Sequence, residues 1–130
     1  MKRSFFVFII AVLVHQLLGF AVYGYLMADY MRSIFASIVR HEIIPWVFMI
    51  RSIGMIALMM WLYGNMPFAG SKIFKGFKLG VFFGFVYNWP GLWDFYGNFE
   101  LKGIDVLYMF APEFLMMIII GMLISVLLKE

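Results

Sequence analysis

A chain of 130 residues with 65% hydrophobic and 13% charged side chains is too apolar for a soluble domain, in which about 25% of residues are charged. Its net charge of +3 is spread without a basic face or helix, which excludes a nucleic-acid surface, and the lack of cysteine excludes disulfides and thiolate metal sites. The composition leaves one domain, residues 1–130, whose solvent is the lipid bilayer.

Lys2-Arg3 and the apolar run behind them resemble the start of a signal peptide, and Gly19-Phe20-Ala21 has the spacing of a cleavage site. The run is too long for that role and is interrupted by His15-Gln16, so residues 4–27 are read as a retained first span. Gly19, Ala21 and Gly24 make a small-residue region that another helix would approach closely. Next, Met27, Tyr30, Met31, Ile34, Phe35, Ile38 and Val39 recur at three- and four-residue spacing, opposite Asp29, Arg32, Ser33, Ser37 and Arg40. That period predicts an amphipathic helix over 29–40, lying in the membrane interface as a connector or as a lid.

A second span is predicted over 43–63. Pro45 falls in its first turn, Trp46 and Trp61-Leu62-Tyr63 suit the two aromatic belts, and Gly64-Asn65 with Pro67 predict a left-handed stop. Ser71 would cap a third span over 72–89. Gly76, Gly80 and Gly84 form a double GxxxG ridge there, for close packing on a helix of this chain, a second copy or a membrane-protein partner. Pro90 is expected to break that helix, leaving an aromatic, acidic loop from Gly91 to Gly103. Asp105 opens a fourth span over 105–128, which carries Pro112, Glu113 and Gly121.

The predicted fold is all-α: an integral membrane bundle of four transmembrane helices with an interfacial helix between spans one and two. Lys2, Arg3, Lys72, Lys75 and Lys78 fall on one side, whereas Arg32, Arg40 and Lys102 on the other are balanced by Asp29, Glu42, Asp94, Glu100 and Asp105. The positive-inside rule then puts both termini in the cytoplasm, at a bacterial inner membrane.

Arg51 decides where to look for chemistry. A charge near mid-span costs at least ~2.5–3.5 kcal/mol on insertion scales, and a guanidinium cannot escape by losing its proton. Counted along the spans, Arg51 lies roughly 3 Å and Glu113 roughly 4.5 Å outward of centre, with Asn88 slightly outward and His15 central. One polar group from each helix therefore reaches the same layer. Arg51 and Glu113 are expected to pair, either to fix helix register or as a ligand site. In the second reading His15 and Asn88 assist, and Tyr87 and Trp89, with Trp93 and Tyr108, wall an aromatic vestibule. Pro90 and Pro112 would free backbone carbonyls beside it.

The favoured function is binding or transport of a small anionic or proton-linked ligand, with Arg51 attracting it and Glu113 as releasable counter-ion. The alternative is a non-catalytic accessory subunit of a larger complex. An enzyme using Glu113 on a lipidic substrate is a third reading, but GxSxG, HExxH, P-loop and GxGxxG signatures are all absent and no catalytic residue is assigned. No cofactor or metal is expected: His15 and Glu113 lack a ligand spacing, and His41, at a membrane edge, is no second haem ligand. The layout resembles small multidrug-resistance transporters and fluoride channels only in size and span number. His15 stands in the span where the former carry a Glu, and 72–89 lacks the Thr/Ser-Phe signature of the latter.

Overall fold

The computed structural model describes residues 2–35, 45–67 and 69–128, and every element among them is helical. Helix α1 covers Lys2–Gly19 and passes into a π-helical segment, Phe20–Leu26; α2 follows over Ala28–Phe35. The remaining helices are α3 (Pro45–Asn65), α4 (Lys72–Asn98) and α5 (Gly103–Leu127). Three stretches are long and apolar enough to cross a membrane: Lys2–Leu26, Trp46–Asn65 and Gly103–Leu127. The 27-residue α4 has the length as well, but Lys72, Lys75, Lys78 and Asp94 lower its hydropathy and it is not among the three.

The tightest contact is between α4 and α5, and glycine makes it possible. A Cβ on Gly76 would overlap the Gly121 carbonyl and Met122 Cα, one on Gly80 the backbone of Met117 and Ile118, and one on Gly121 the backbone of Gly76 and Gly80. Both helices thus present bare backbone to each other, the arrangement by which apolar helices gain dispersion contacts where lipid offers no hydrophobic drive. The ridge on Gly76, Gly80 and Gly84 is therefore filled from within the same chain. A partner or second copy expected on that face finds it occupied by α5.

Helix α1 packs against α3 and α5, while α3 touches α4 and α5 only lightly. All four long helices feed one apolar core: Val7, Ala11 and Val12; Met55, Ile56 and Met59; Leu79 and Phe83; Met117, Ile120 and Ile124. These residues come from the first two thirds of α1, the N-terminal half of α4 and the C-terminal halves of α3 and α5, so the core lies towards one end of the molecule. Arg3 Nε closes that end, donating to the Leu127 carbonyl at 2.8 Å, where a cation also suits the C-terminal dipole of α5.

Several expectations need correction. Pro90 does not end its helix; α4 runs on to Asn98. One proline removes a single backbone bond, and an aromatic ladder spans the gap, with Phe85–Trp89 rings at 4.8 Å and Trp89–Trp93 at 5.5 Å. The supposed loop from Gly91 is thereby helical over most of its length. Pro112 likewise sits inside α5. Gly64-Asn65 does not form a left-handed stop, since only Gly70, at φ 123°, has positive φ among the described residues. Instead Asn65 Nδ2 donates to the Trp61 carbonyl at 2.7 Å. Ser71 holds the N-cap position of α4 without a side-chain hydrogen bond. Among the described residues no helix packs on the small-residue region near Gly19: a Cβ on Gly19 would meet nothing within 4 Å, and one on Gly24 only the Phe20 ring of the same helix.

The amphipathic helix is present as α2, and residues 36–40 of the expected 29–40 lie outside the described ones. Its apolar face packs on the α4–α5 turn. Phe35 is buried edge-on between Phe95 and Phe99, at 6.0 and 6.4 Å, and Tyr30 donates to Asp105 Oδ1 at 2.6 Å.

Gly80→Leu is expected to cost at least about 3 kcal/mol, because the obstruction is backbone that cannot step aside. Gly54→Ala, which meets nothing within 4 Å, should instead raise stability by up to ~1 kcal/mol through helix propensity. Thermal unfolding in one detergent compares the two, and equal effects would contradict the packing.

The hydrogen bond to Asp105 pushes the Tyr30 phenol from its usual value near 10 up to about 12. Because the folded state holds this proton more tightly, its contribution is complete below pH ~10 and lost as pH rises towards 12. A phenolate absorbance titration of wild type minus Tyr30→Phe should show that late step. A difference transition near 10 would show that the contact is not made.

Candidate functional site

Just beyond the core, the side chains change from apolar to polar within one turn of each helix. Ser52, His15 and Glu113 are 1%, 5% and 5% exposed, on α3, α1 and α5. Arg51, next to Ser52, points the other way and crosses towards α4 and α5. Its Nη2 donates to Glu113 Oε1 at 2.6 Å, and its Nε donates to the Tyr87 hydroxyl, also at 2.6 Å. The guanidinium carbon lies 5.3 Å from the centre of the Tyr87 ring, which stacks on Phe83. Its side chain is 40% exposed against 6% for Glu113, so the pair has one open end and one closed end.

His15 approaches the same carboxylate oxygen from the other side: Nε2 stands 3.5 Å from Glu113 Oε1, too loose for a hydrogen bond, and has no bonded partner. Its Nδ1 lies 2.8 Å from Ser52 Oγ. Gln16 Nε2 donates to that Oγ at 2.6 Å and to the Phe48 carbonyl at 2.9 Å. Since Ser52 Oγ accepts from Gln16, its own proton is available to His15 Nδ1. We assign the neutral imidazole on this basis as the Nε2–H tautomer, with its N–H facing Glu113. The result is two hydrogen-bonded groups, Gln16–Ser52–His15 and Glu113–Arg51–Tyr87, that meet across the 3.5 Å between His15 and Glu113 and together join α1, α3, α5 and α4.

Of the residues expected here, Arg51, Glu113, His15 and Tyr87 are brought together. Asn88 is buried in the same layer of α4, but its Nδ2 bonds the Gly84 carbonyl at 2.7 Å within its own helix. That bond fixes the amide orientation and leaves Asn88 Oδ1 buried without a partner. Trp89 is not in the cluster; it stacks on Phe85 and is exposed. Nor do the aromatic residues form one vestibule. Tyr108 meets Tyr30 edge-on, and Trp93 belongs to a groove of about 420 Å³ at the α4–α5 turn, with Leu92, Tyr96, Gly103, Val106 and Leu107.

Ser52, Gln16 and Tyr23 were not singled out from sequence. Ser52 follows Arg51 but faces the opposite way, so adjacency was no signal for it, whereas Gln16 reaches the same Ser52 Oγ as its neighbour His15. Tyr23 depends on the π segment, whose wider turn re-aims the side chains after Phe20. Its hydroxyl donates at 2.9 Å to the Met109 carbonyl, one turn before Glu113 and beside the ladder already weakened by Pro112.

Among the described residues no group of three or more His, Asp or Glu side chains could hold a metal ion. No family model, curated protein or solved structure matches the chain.

Arg51→Glu and Glu113→Arg should each destabilise by about 3 kcal/mol, the lower end for a broken buried pair because Arg51 is half open. The double exchange should restore part of this. Recovery is incomplete because an arginine at 113 would face His15, which Glu113 now faces at 3.5 Å. Adding His15→Gln to the double exchange should recover more, and thermal melting of the set tests it. A double variant no better than its singles would dissolve the pairing.

Proposed function

We propose that this chain is an integral membrane protein that binds, and carries across the bilayer, a small anionic or proton-linked ligand at Arg51 and Glu113. The observation that carries this reading is the asymmetry of the pair: a half-exposed guanidinium held against a buried carboxylate whose same oxygen faces an unbonded imidazole N–H. A purely structural pair needs the polar groups buried around it to be satisfied, and His15 Nε2 is not. Here the cation is reachable from one side and the proton chemistry lies behind it.

In this reading a ligand anion takes the Glu113 position on Arg51. The displaced carboxylate, buried and without its counter-ion, then takes a proton. That proton comes from the same solution as the anion, and His15, whose Nε2 faces Glu113 at 3.5 Å while Ser52 Oγ holds its Nδ1, lines the carboxyl that receives it. Anion entry and proton uptake are thus linked through one oxygen atom.

The proposed architecture is four spans, with α4 as the fourth alongside the three apolar stretches. Its 27 residues extend about 40 Å, and Lys72, Lys75 and Lys78, all in its first two turns, would reach the headgroups. Both termini are placed in the cytoplasm of a bacterial inner membrane by the charge bias of the loops. The accessory-subunit alternative relied on the glycine ridge, and α5 has taken that surface.

The test is reconstitution of the purified chain in liposomes containing a pH-sensitive dye, with inward gradients of chloride, acetate or phosphate. Anion-driven proton movement should appear for at least one of them. Glu113→Gln should abolish the proton signal, while Arg51→Gln should abolish anion entry as well. Liposomes that neither acidify nor accumulate any anion, from protein verified as folded, would overturn the proposal.

A further inference from the structure

The open side of Arg51 faces an unusual setting. On α3, Val47 and Ile50 before it and Leu58 two turns beyond are exposed, at 45%, 61% and 48%. Across the gap, Val86 and Trp89 on α4 are exposed too, on either side of Tyr87. Between Arg51 and Leu58 comes Gly54, one turn from Arg51, where an added Cβ would meet nothing within 4 Å. A glycine in the interior of a helix costs up to ~1 kcal/mol relative to alanine. The ridge on α4 repays that cost by letting α5 approach, but Gly54 has no such neighbour. It leaves an indentation on an apolar face beside the only cation of α3.

Two of the five guanidinium N–H groups are engaged, by Tyr87 and Glu113. The group already held is informative, because Glu113 shows that Arg51 and its neighbours accept a carboxylate. At mid-span, an exposed apolar surface meets acyl chains and not water. A small hydrated anion reaching Arg51 by this side would have to shed its water in hydrocarbon. A carboxylate attached to an acyl chain would arrive with its tail already in its own solvent.

We propose that the ligand of this site is a long-chain carboxylate from the bilayer, which enters laterally between α3 and α4. Its head displaces Glu113 on Arg51 and Tyr87, and its tail lies over Gly54 and the exposed apolar side chains of α3. This rests on the reading of Arg51 and Glu113 as a ligand site and specifies the chemical class of what they bind. It also gives Gly54 a role, as the floor of the tail groove. The acid enters protonated and gives its proton to Glu113 as the two exchange on Arg51, so the O–H bond broken on the ligand is the one formed on Glu113 and the ligand is held as its anion.

The experiment is quenching of intrinsic tryptophan fluorescence by a brominated long-chain fatty acid, with the full chain in lipid nanodiscs. Trp89, exposed two residues beyond Tyr87, lies on the α4 side of the gap. The free acid should quench saturably, and its methyl ester only in proportion to its partitioning. Gly54→Leu, which fills open space and should fold, is expected to weaken the saturable component about tenfold or more, a ratio well outside partitioning effects. The Arg51→Gln, Glu113→Gln double variant, which keeps the shape and removes both charges, should lose it. Equal quenching by acid and ester, or an unchanged curve in folded Gly54→Leu, would overturn the proposal. If chloride or acetate stabilises the protein against heat while the fatty acid shows no saturable quenching, the lateral ligand falls and the small-anion site stands. If neither has any effect, both readings fall.

Discussion

An arginine in mid-helix that cannot shed its charge sets the constraint from which the rest of the arrangement follows. Without Arg51, the N-terminal half of α3 would be held on the α1 side alone, because Trp46 through Ile50 are all exposed and its contacts with α4 and α5 are slight. The guanidinium bridges that gap, fastening α3 to α5 through Glu113 and to α4 through Tyr87. Ser52, one residue further, fastens the same turn to α1 through His15 and Gln16. Two adjacent side chains pointing opposite ways thus lock one helix to all three of its neighbours. Polar contacts between membrane helices are individually modest, ~0.6 kcal/mol on average in double-mutant cycles, so it is their convergence on one turn that gives them weight.

Glycine packing and polar bridging divide the molecule. The α4–α5 pair is built on bare backbone and leaves no room for substitution at Gly76, Gly80 or Gly121. The core end is closed by the apolar side chains of four helices and the Arg3 cap. Towards the other end, α3 parts from the rest and the contacts become polar or aromatic, with α2 resting on the α4–α5 turn. The half-exposed charge of Arg51 sits at the boundary between the tight end and this looser one. On the proposed reading, a ligand would exchange there without unfolding the core.

His15 gives this boundary its chemistry. One nitrogen is fixed by Ser52, and the other faces a carboxylate without bonding it. An imidazole so placed can change its bonding by a small movement of Glu113, whereas a fully bonded one would first have to break a contact. The π segment that follows α1 adds a backbone of unequal spacing and a tyrosine hydroxyl at the weakened turn of α5. Such segments recur at functional sites because their extra residue redirects side chains that an α-helix would turn away.

Apolar length, the basic and acidic loop pattern and the unavoidable charge of Arg51 were enough to predict a helical chain suited to a bilayer and to pair Arg51 with Glu113. These follow from local physics: a long apolar run has no stable alternative to helix in lipid, and a buried guanidinium demands a carboxylate. The GxxxG spacing likewise announced a close helix contact, but α5 as its occupant emerged only in three dimensions, since the ridge is equally complementary to a second chain. The passage of α4 through Pro90 was decided by neighbouring rings that offset one lost bond. The identity of the atoms around His15 was settled by rotation of the helices about their axes, which sequence spacing alone does not specify. Ser52 beside Arg51 faces α1, Asn88 beside Tyr87 turns to its own helix, and Trp89 leaves the layer altogether. Position along a helix is linear in sequence and was legible; azimuth is set by the packing of all helices at once, and only the tertiary structure contains it.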